Sequence, residues 1–486
     1  MVPNMITNTD ILAILPEILL LVLIVVVLII DVVRKKQPNG NILSWVTFIG
    51  LLLVIFFSVF FLSPGESTST AWGGMVRVDA TSHIFTIIIL VGAALTTLFS
   101  MHHASVQDKG EYYAMLLLSV IGMSMMVAAT NIILLYLAIE TTAIPLYVLV
   151  GFLKNDKFSV ESGLKYFLFG ALTSAVLLYG LSLLYGFSGS TYYSEIIDAI
   201  NGGAFSTSLL VFILLLTIVG FGAKISGFPF HFWAPDAYQG APTPVAGYLS
   251  TASKAVGFVV IMRFMVSIFS SEPQSWTLLL AILATASMFV GNLLALVQKD
   301  LKRLFAYSSI AHAGYMLIGL AAGTQLGFQA AMYYLIAYLF TNIAIFGVIL
   351  IVEKTKGSNE LDAFKGLMKQ SPGIALIFLI AVLSLGGIPP FGGFISKVLV
   401  FMAAIEANMV WLLIIGIINS IIALYYYLTI LRITFADTES SEKFQLFLGW
   451  KLALAVCIIG IIIMGVVFTP WLNLLEVASK NLMLLY

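Results

Sequence analysis

Charge is what this sequence has least of. Asp, Glu, Lys and Arg make up 9% of its 486 residues, against about a quarter in ordinary soluble domains, while 61% are hydrophobic. That balance excludes a soluble globular domain and points to an all-α polytopic membrane protein. Net charge is formally zero, which argues against nucleic acid as a partner, since phosphate binding favours a basic excess. A single cysteine, Cys457, excludes an internal disulfide and a cysteine-ligated iron–sulfur cluster. The first residues lack a basic stretch and an Ala-x-Ala-like cleavage site, so the first apolar run reads as a retained helix. No HExxH, CxxC or paired-histidine spacing offers a metal or haem site, and no GxGxxG or P-loop offers a nucleotide site.

What is present is a succession of apolar runs long enough to cross a bilayer. They fall near 11–33, 42–63, 80–102, 112–129, 131–152, 161–186, 205–238, 242–269, 275–297, 303–322, 326–352, 373–406, 408–432 and 448–473. About fourteen spans are therefore predicted, with the run 112–152 divided at Thr130-Asn131. Two are too long for a straight crossing and carry helix breakers: Gly227-Phe228-Pro229 in the seventh, and Gly386 to Pro390 in the twelfth.

The basic residues sort onto one side. With the N-terminus outside, the inner loops hold Arg34, Lys35, Lys36, Lys109, Lys154, Lys157, Lys299, Lys302, Arg303, Lys354, Lys356, Lys365, Lys369, Arg432, Lys443 and Lys451. The outer loops hold Arg77 and Lys480 alone. By the positive-inside rule both termini face outward, and a miscounted span would have scrambled the pattern. Lys165, Lys224, Lys254, Arg263 and Lys397 remain inside spans.

The breaks also expose a repeat. Gly227-Phe-Pro229 and Gly387-Ile-Pro389 lie 160 positions apart, and spans four to eight have partners at a similar offset among spans nine to thirteen. Five helices is an odd number, so the second copy is inverted in the membrane. Matching interrupted helices in inverted repeats mark transporters and point to the ion path. The expected divisions are 1–110 as an N-terminal three-helix segment, 111–270 and 271–435 as the two repeats, and 436–486 as a C-terminal helix.

The stretch from Gly222 to Lys254 gathers the costly residues: Lys224, the Gly-Phe-Pro break, His231, Pro235-Asp236, Pro242, Pro244 and Lys254. Breakers and charges both need partners in hydrocarbon. Glu140 stands about ten residues, or ~15 Å, into its span. It is either a structural carboxylate satisfied by one basic partner or a functional group, and a Glu140–Lys224 pair that can be made and broken would serve as a switch. Lys254 sits among small residues in STASKAVGF, and Lys397 follows the second break by seven positions. Neither has a sequence-near acid, so both read as functional intramembrane charges. Glu161 and Lys165 are spaced i, i+4, which fits a surface ion pair as well as the inner end of a path. His231 and His312 fit either a proton relay or a hydrogen-bonded core histidine.

In PFHFWAPDAYQGAPTPVAGYLSTASKAVGF, together with Glu140 in YLAIETTAIPLYVL and Lys397 in PPFGGFISK, the chain resembles the antiporter-like membrane subunits of proton-pumping NADH:quinone oxidoreductase, respiratory complex I. The likeness spans about residues 80 to 435 and is nearest to the subunit N family. Subunit L carries further helices and a lateral arm, and subunit M commonly has glutamate where Lys397 stands. The resemblance implies that Glu140 and Lys224 form the family's glutamate–lysine pair, that Lys254 is its central lysine and Lys397 its second-half lysine. It implies no cofactor in this chain: NADH, FMN, iron–sulfur clusters and quinone belong to other subunits. It implies partners in adjacent membrane subunits, antiporter-like ones in series, and a multi-pass place in a bacterial or archaeal plasma membrane or an organelle membrane. A subunit of a multisubunit cation/proton antiporter shares the pattern, as does the membrane arm of a hydrogenase or of a ferredoxin or F420 oxidoreductase.

Overall fold

A computed structural model describes residues 7–34, 40–65, 67–271, 273–437 and 442–483; Lys35 and Lys36 lie outside them. Among the described residues thirteen helices are long and apolar enough to cross a membrane, and the broken twelfth span completes fourteen. In order the spans are Leu15–Val33, Ile42–Phe61, Ala80–Ser100, Gly110–Ala128, Ile132–Val150, Lys157–Ser188, Thr207–Lys224 continued by Trp233–Gly240, Thr243–Ile268, Pro273–Ala295, Leu301–Ala322, Gln325–Lys356, Pro372–Gly386 continued by Gly392–Glu406, Val410–Thr434, and Leu448–Val466. The division at 130–131 has a local cause. Asn131 caps the fifth span by accepting the Ile133 and Leu134 amides, while the Thr130 amide donates to the Met75 carbonyl.

The fourteenth span is shorter than its apolar run. It ends at Val466, and a separate helix, Thr469–Met483, starts with Pro470 in its first turn. Proline suits a helix start because its missing N–H is not needed there. A hairpin of Ser69–Ala71 with Val76–Val78, an outer helix Tyr193–Asn201 and short helices at Asn8–Ala13, Leu361–Phe364 and Leu367–Gln370 are further elements that the apolar pattern did not reveal.

The tenth and eleventh spans are almost wholly enclosed by the others. The first, second, sixth and thirteenth turn large apolar side chains outward, such as Val25, Phe60, Leu168 and Ile421, as a lipid-facing surface requires.

Polar contacts sort the loops onto two faces. On one, Arg34 pairs with Asp108, Asn41 meets His102, Lys354 donates to the His102 carbonyl, and Gln239 donates to Asp300. On the other, Trp72 donates to Asp10, Asn131 to Thr191, and Arg77 to the Asn481 carbonyl. The described basic loop residues gather on the first face, with Arg77 and Lys480 on the second, so the alternation read from charge is the alternation of the fold.

Candidate functional site

The site is built around the two breaks. At the first, the chain leaves the seventh span after Lys224, passes Ser226 at φ 56, and re-enters a helix at Trp233. Its freed groups find partners inside the protein: the Phe228 amide donates to Ser287 Oγ at 2.9 Å, and the Trp233 indole to the Ala223 carbonyl at 3.0 Å. At the second, Gly387 takes φ 80 and the Gly393 amide donates to Ser384 Oγ at 3.2 Å. The Gly386 carbonyl, left without a helical partner, accepts from Lys397 Nζ at 3.1 Å. The break thus supplies the lysine's acceptor. The faces of Pro229, Pro389 and Pro390 are exposed.

Lys254 follows a π-helical segment, Leu249–Ser253, in the eighth span, a local widening that frequently accompanies functional sites. Its Nζ donates to the Ser309 carbonyl at 3.0 Å and to Ser309 Oγ at 2.8 Å, and the residue is 1% exposed. Three residues after Ser309 comes His312. Its Nδ1 lies 2.8 Å from Tyr334 Oη and its Nε2 3.0 Å from Tyr427 Oη, which in turn meets Ser308 Oγ at 2.6 Å. Tyr315, one turn further, lies under the Lys397 ammonium, 4.9 Å from ring centroid to Nζ. The tenth span therefore presents Ser308, Ser309, His312 and Tyr315 between the two lysines. The serines and tyrosines of this chain were not singled out in the sequence. Their signal was the i, i+4, i+7 spacing of Ser308, His312 and Tyr315.

Neither Lys254 nor Lys397 has a carboxylate within ion-pair distance among the described residues. Their acceptors are neutral, so no counter-charge fixes them in one protonation state.

Glu140 accepts a hydrogen bond from Ser174 of the sixth span. Lys224 is within electrostatic reach of Glu140, yet among the described residues the two make no ion pair. Lys224 instead sits beside the eighth span: a Cβ on Gly257, one turn past Lys254, would come within 3.4 Å of Lys224 Cβ. The structure thus holds the glutamate–lysine pair apart and the two lysines on adjoining helices.

His231 is 3% exposed in the first break, stacked between Phe228 and Phe232, and its Nδ1 has no partner among the described residues. Glu161 and Lys165 are exposed and paired at 2.8 Å. Lys165 also meets Asp236 at 3.0 Å, and Asp236 is shared with Arg303. These four form one cluster at the basic face. Arg263, 2% exposed, pairs at 3.0 Å with Asp79, the N-cap of the third span, which Arg77 also holds. Among the described residues no three His, Cys, Asp or Glu side chains gather as metal ligands would.

Residues 129–423 match the family described as NADH:quinone oxidoreductase/Mrp antiporter, TM. The chain belongs to the NADH:quinone oxidoreductase/Mrp antiporter family. A relative named NADH-quinone oxidoreductase subunit N, from Dehalococcoides mccartyi, is 38% identical over 483 residues, covering 96% of this chain and 98% of the relative. Among solved structures, a chain of respiratory complex I from Thermus thermophilus, determined with bound aureothin, is 32% identical with a TM-score of 0.78, covering 94% of this chain and 98% of that one. A chain of the membrane-bound sulfane sulfur reductase, an archaeal respiratory membrane complex, is 26% identical with a TM-score of 0.88 and covers 97% of both. The region matched to the NADH:quinone oxidoreductase/Mrp antiporter family encloses Glu140, Lys224, Lys254, His312 and Lys397. The first four spans precede it.

Proposed function

We propose that the chain is the proton-translocating subunit N of an NADH:quinone oxidoreductase. It carries protons through Glu140, Lys224, Lys254, His312 and Lys397, while NADH, flavin, clusters and quinone are handled by other subunits. The observation that carries this reading is the enclosed tenth span between the two lysines: Ser309 accepts from Lys254, His312 meets Tyr334 and Tyr427, and Tyr315 lies under Lys397. Spans four to eight and nine to thirteen act as two inverted halves: each has its break in the fourth helix of five. Residues 1–110 and 436–486 flank these halves. The partners are further antiporter-like subunits in the same plasma membrane, whose motion sets the Glu140–Lys224 distance. Glu161, Lys165 and His231 lie toward the basic face, where they open the first half to the solution.

The test is replacement of Lys254 in the assembled complex. Lys254→Ala lowers protons moved per NADH by about tenfold or more, the factor that ~1.4 kcal/mol of lost stabilisation produces. Lys254→Arg does not restore it, because guanidinium keeps its proton. Full pumping in Lys254→Ala would make Lys254 a packing residue and remove the reading.

A second reading is membership of a respiratory complex with a different electron acceptor, favoured by the 0.88 TM-score to the sulfane sulfur reductase chain. Companions co-purifying with the chain decide between them. The higher identity to the subunit N relative over nearly its full length supports the first.

A further inference from the structure

The first four spans hold a buried acid that the lysine chain does not use. Glu17, three residues into the first span, is 7% exposed. One oxygen accepts from the Ser124 hydroxyl of the fourth span, and Ser124 lies 3.0 Å from Thr86 of the third. The other, Oε2, has no hydrogen-bond partner among the described residues. Glu17 also lines a cavity of about 240 Å³, together with Arg77, Ser82 and His83. Exposed Thr9, Ser63 and Ser69 form its rim, so it opens on the face opposite the basic loops.

Every element around this cavity bears on the acid. From the hairpin comes Arg77, whose guanidinium is committed to Asp79 at 2.9 Å and to the Asn481 carbonyl at 3.1 Å. From the third span comes His83. The second and fourth spans contribute Ser58 and Ser124 and nothing charged, and Asp10 of the preceding helix turns to Thr7 and Trp72. Glu17 makes no ion pair with any of them.

Neither protonation state of Glu17 is therefore locked. Among the described residues no cation holds the carboxylate, and no protein acceptor holds a proton on Oε2. A water needs about 10–15 Å³ of such space, so the cavity has room for several beside Glu17.

We propose that Glu17 is a proton-exchanging carboxyl, loaded and unloaded through this cavity from the solution opposite the basic face. The site lies outside residues 129–423 and does not depend on the lysine chain. It is tied to it physically, however. Ser82 on the cavity wall accepts from the Asp79 amide, and Asp79 accepts from Arg263 on the span that carries Lys254.

The experiment uses the intact complex in its membrane and dicyclohexylcarbodiimide. This reagent adds to a protonated carboxyl in apolar surroundings and rearranges to a stable N-acylurea, which mass spectrometry places on one residue. Labelling is followed as the pH of the Glu17 side is varied over about 4 to 8, the span of ordinary carboxyl and imidazole titration. The expected result is an adduct on Glu17 that declines about tenfold per pH unit beyond a midpoint. Ser124→Ala, which removes the donor to Oε1, moves that midpoint. An adduct indifferent to pH would show a permanently neutral structural acid and overturn the proposal, as would no adduct at any pH. Protection by sodium at fixed pH would replace the proton with a metal cation and overturn it too.

Discussion

At the scale of single residues, the separated Glu140 and Lys224 are the most informative pair. Brought to about 4 Å at an effective dielectric near 20, two unit charges attract by roughly 4 kcal/mol. Moving one charge across 100 mV needs about 2.3 kcal/mol. Making and breaking this contact is thus of the size needed to drive one proton. Glu140→Gln and Lys224→Met each lower coupled pumping by about tenfold or more, the equivalent of ~1.4 kcal/mol. The double variant loses less than the product of the two, because residues that act through one contact are non-additive. Independent losses in that cycle would assign the two residues to separate tasks. The ionisable residues of the proposed path stand out in the sequence, because a charge in an apolar run is conspicuous. Ser309, Tyr315, Tyr334 and Tyr427 do not: hydroxyls occur throughout membrane helices, and only folding shows which of them meet an imidazole or an ammonium.

At the scale of elements, the breaks depend on close backbone approach. A Cβ on Gly393 would overlap the Ser384 carbonyl, so the two halves of the twelfth span pass each other only because this position is bare. Gly393→Ala costs about 1–3 kcal/mol, the usual effect of overpacking, read as a lower melting temperature of the complex. Unchanged stability would show that the halves can shift apart. The loop between the third and fourth spans answers to pH instead. His102 stacks on Phe447, and withdrawal from water followed by the nearby Lys354 charge lowers its proton affinity. An opened loop would titrate near the ordinary value of about 6.5. Below that pH the opened form binds more protons than the closed one, so loop stability falls as pH falls. Amide protection over residues 101–109, taken relative to the intrinsic exchange rate at each pH, is expected to be lower at about pH 5.5 than at about pH 7.5. His102→Asn, which tolerates the same backbone, narrows the difference, and the buried His103 beside it, whose proton affinity is also lowered by withdrawal from water, keeps the remainder. Protection that ignores pH in both proteins would place the loop's stability elsewhere.

At the scale of the whole molecule, two-sidedness makes a direct prediction. Residues 188–204 share a face with the Arg77 hairpin through the Asn131–Thr191 contact. Cys457 is fully buried, so Asn201→Cys adds the one readily labelled thiol. An impermeant maleimide reaches it from outside the cell and not from the cytoplasm, whereas the reverse would invert the orientation of all fourteen spans.

The sequence by itself determined the span count, the alternation of faces and the places of both breaks. Each follows from a local cost: twenty apolar residues in a row, basic residues confined to one side, or a proline that cannot donate within hydrocarbon. Helix Thr469–Met483 escaped because its start at Pro470 is continuous in composition with the span before it. Tertiary structure decided everything that depends on which helices are neighbours. It placed the tenth span between Lys254 and Lys397, gave Lys397 the carbonyl freed by its own break, drew Asp236 to Lys165 and Arg303, and left Glu17 facing a cavity. Periodicity fixes which face of a helix is polar. Only packing fixes what that face meets, because in a bundle of similar apolar helices the partner is chosen by small residues and hydrogen bonds spread over hundreds of positions.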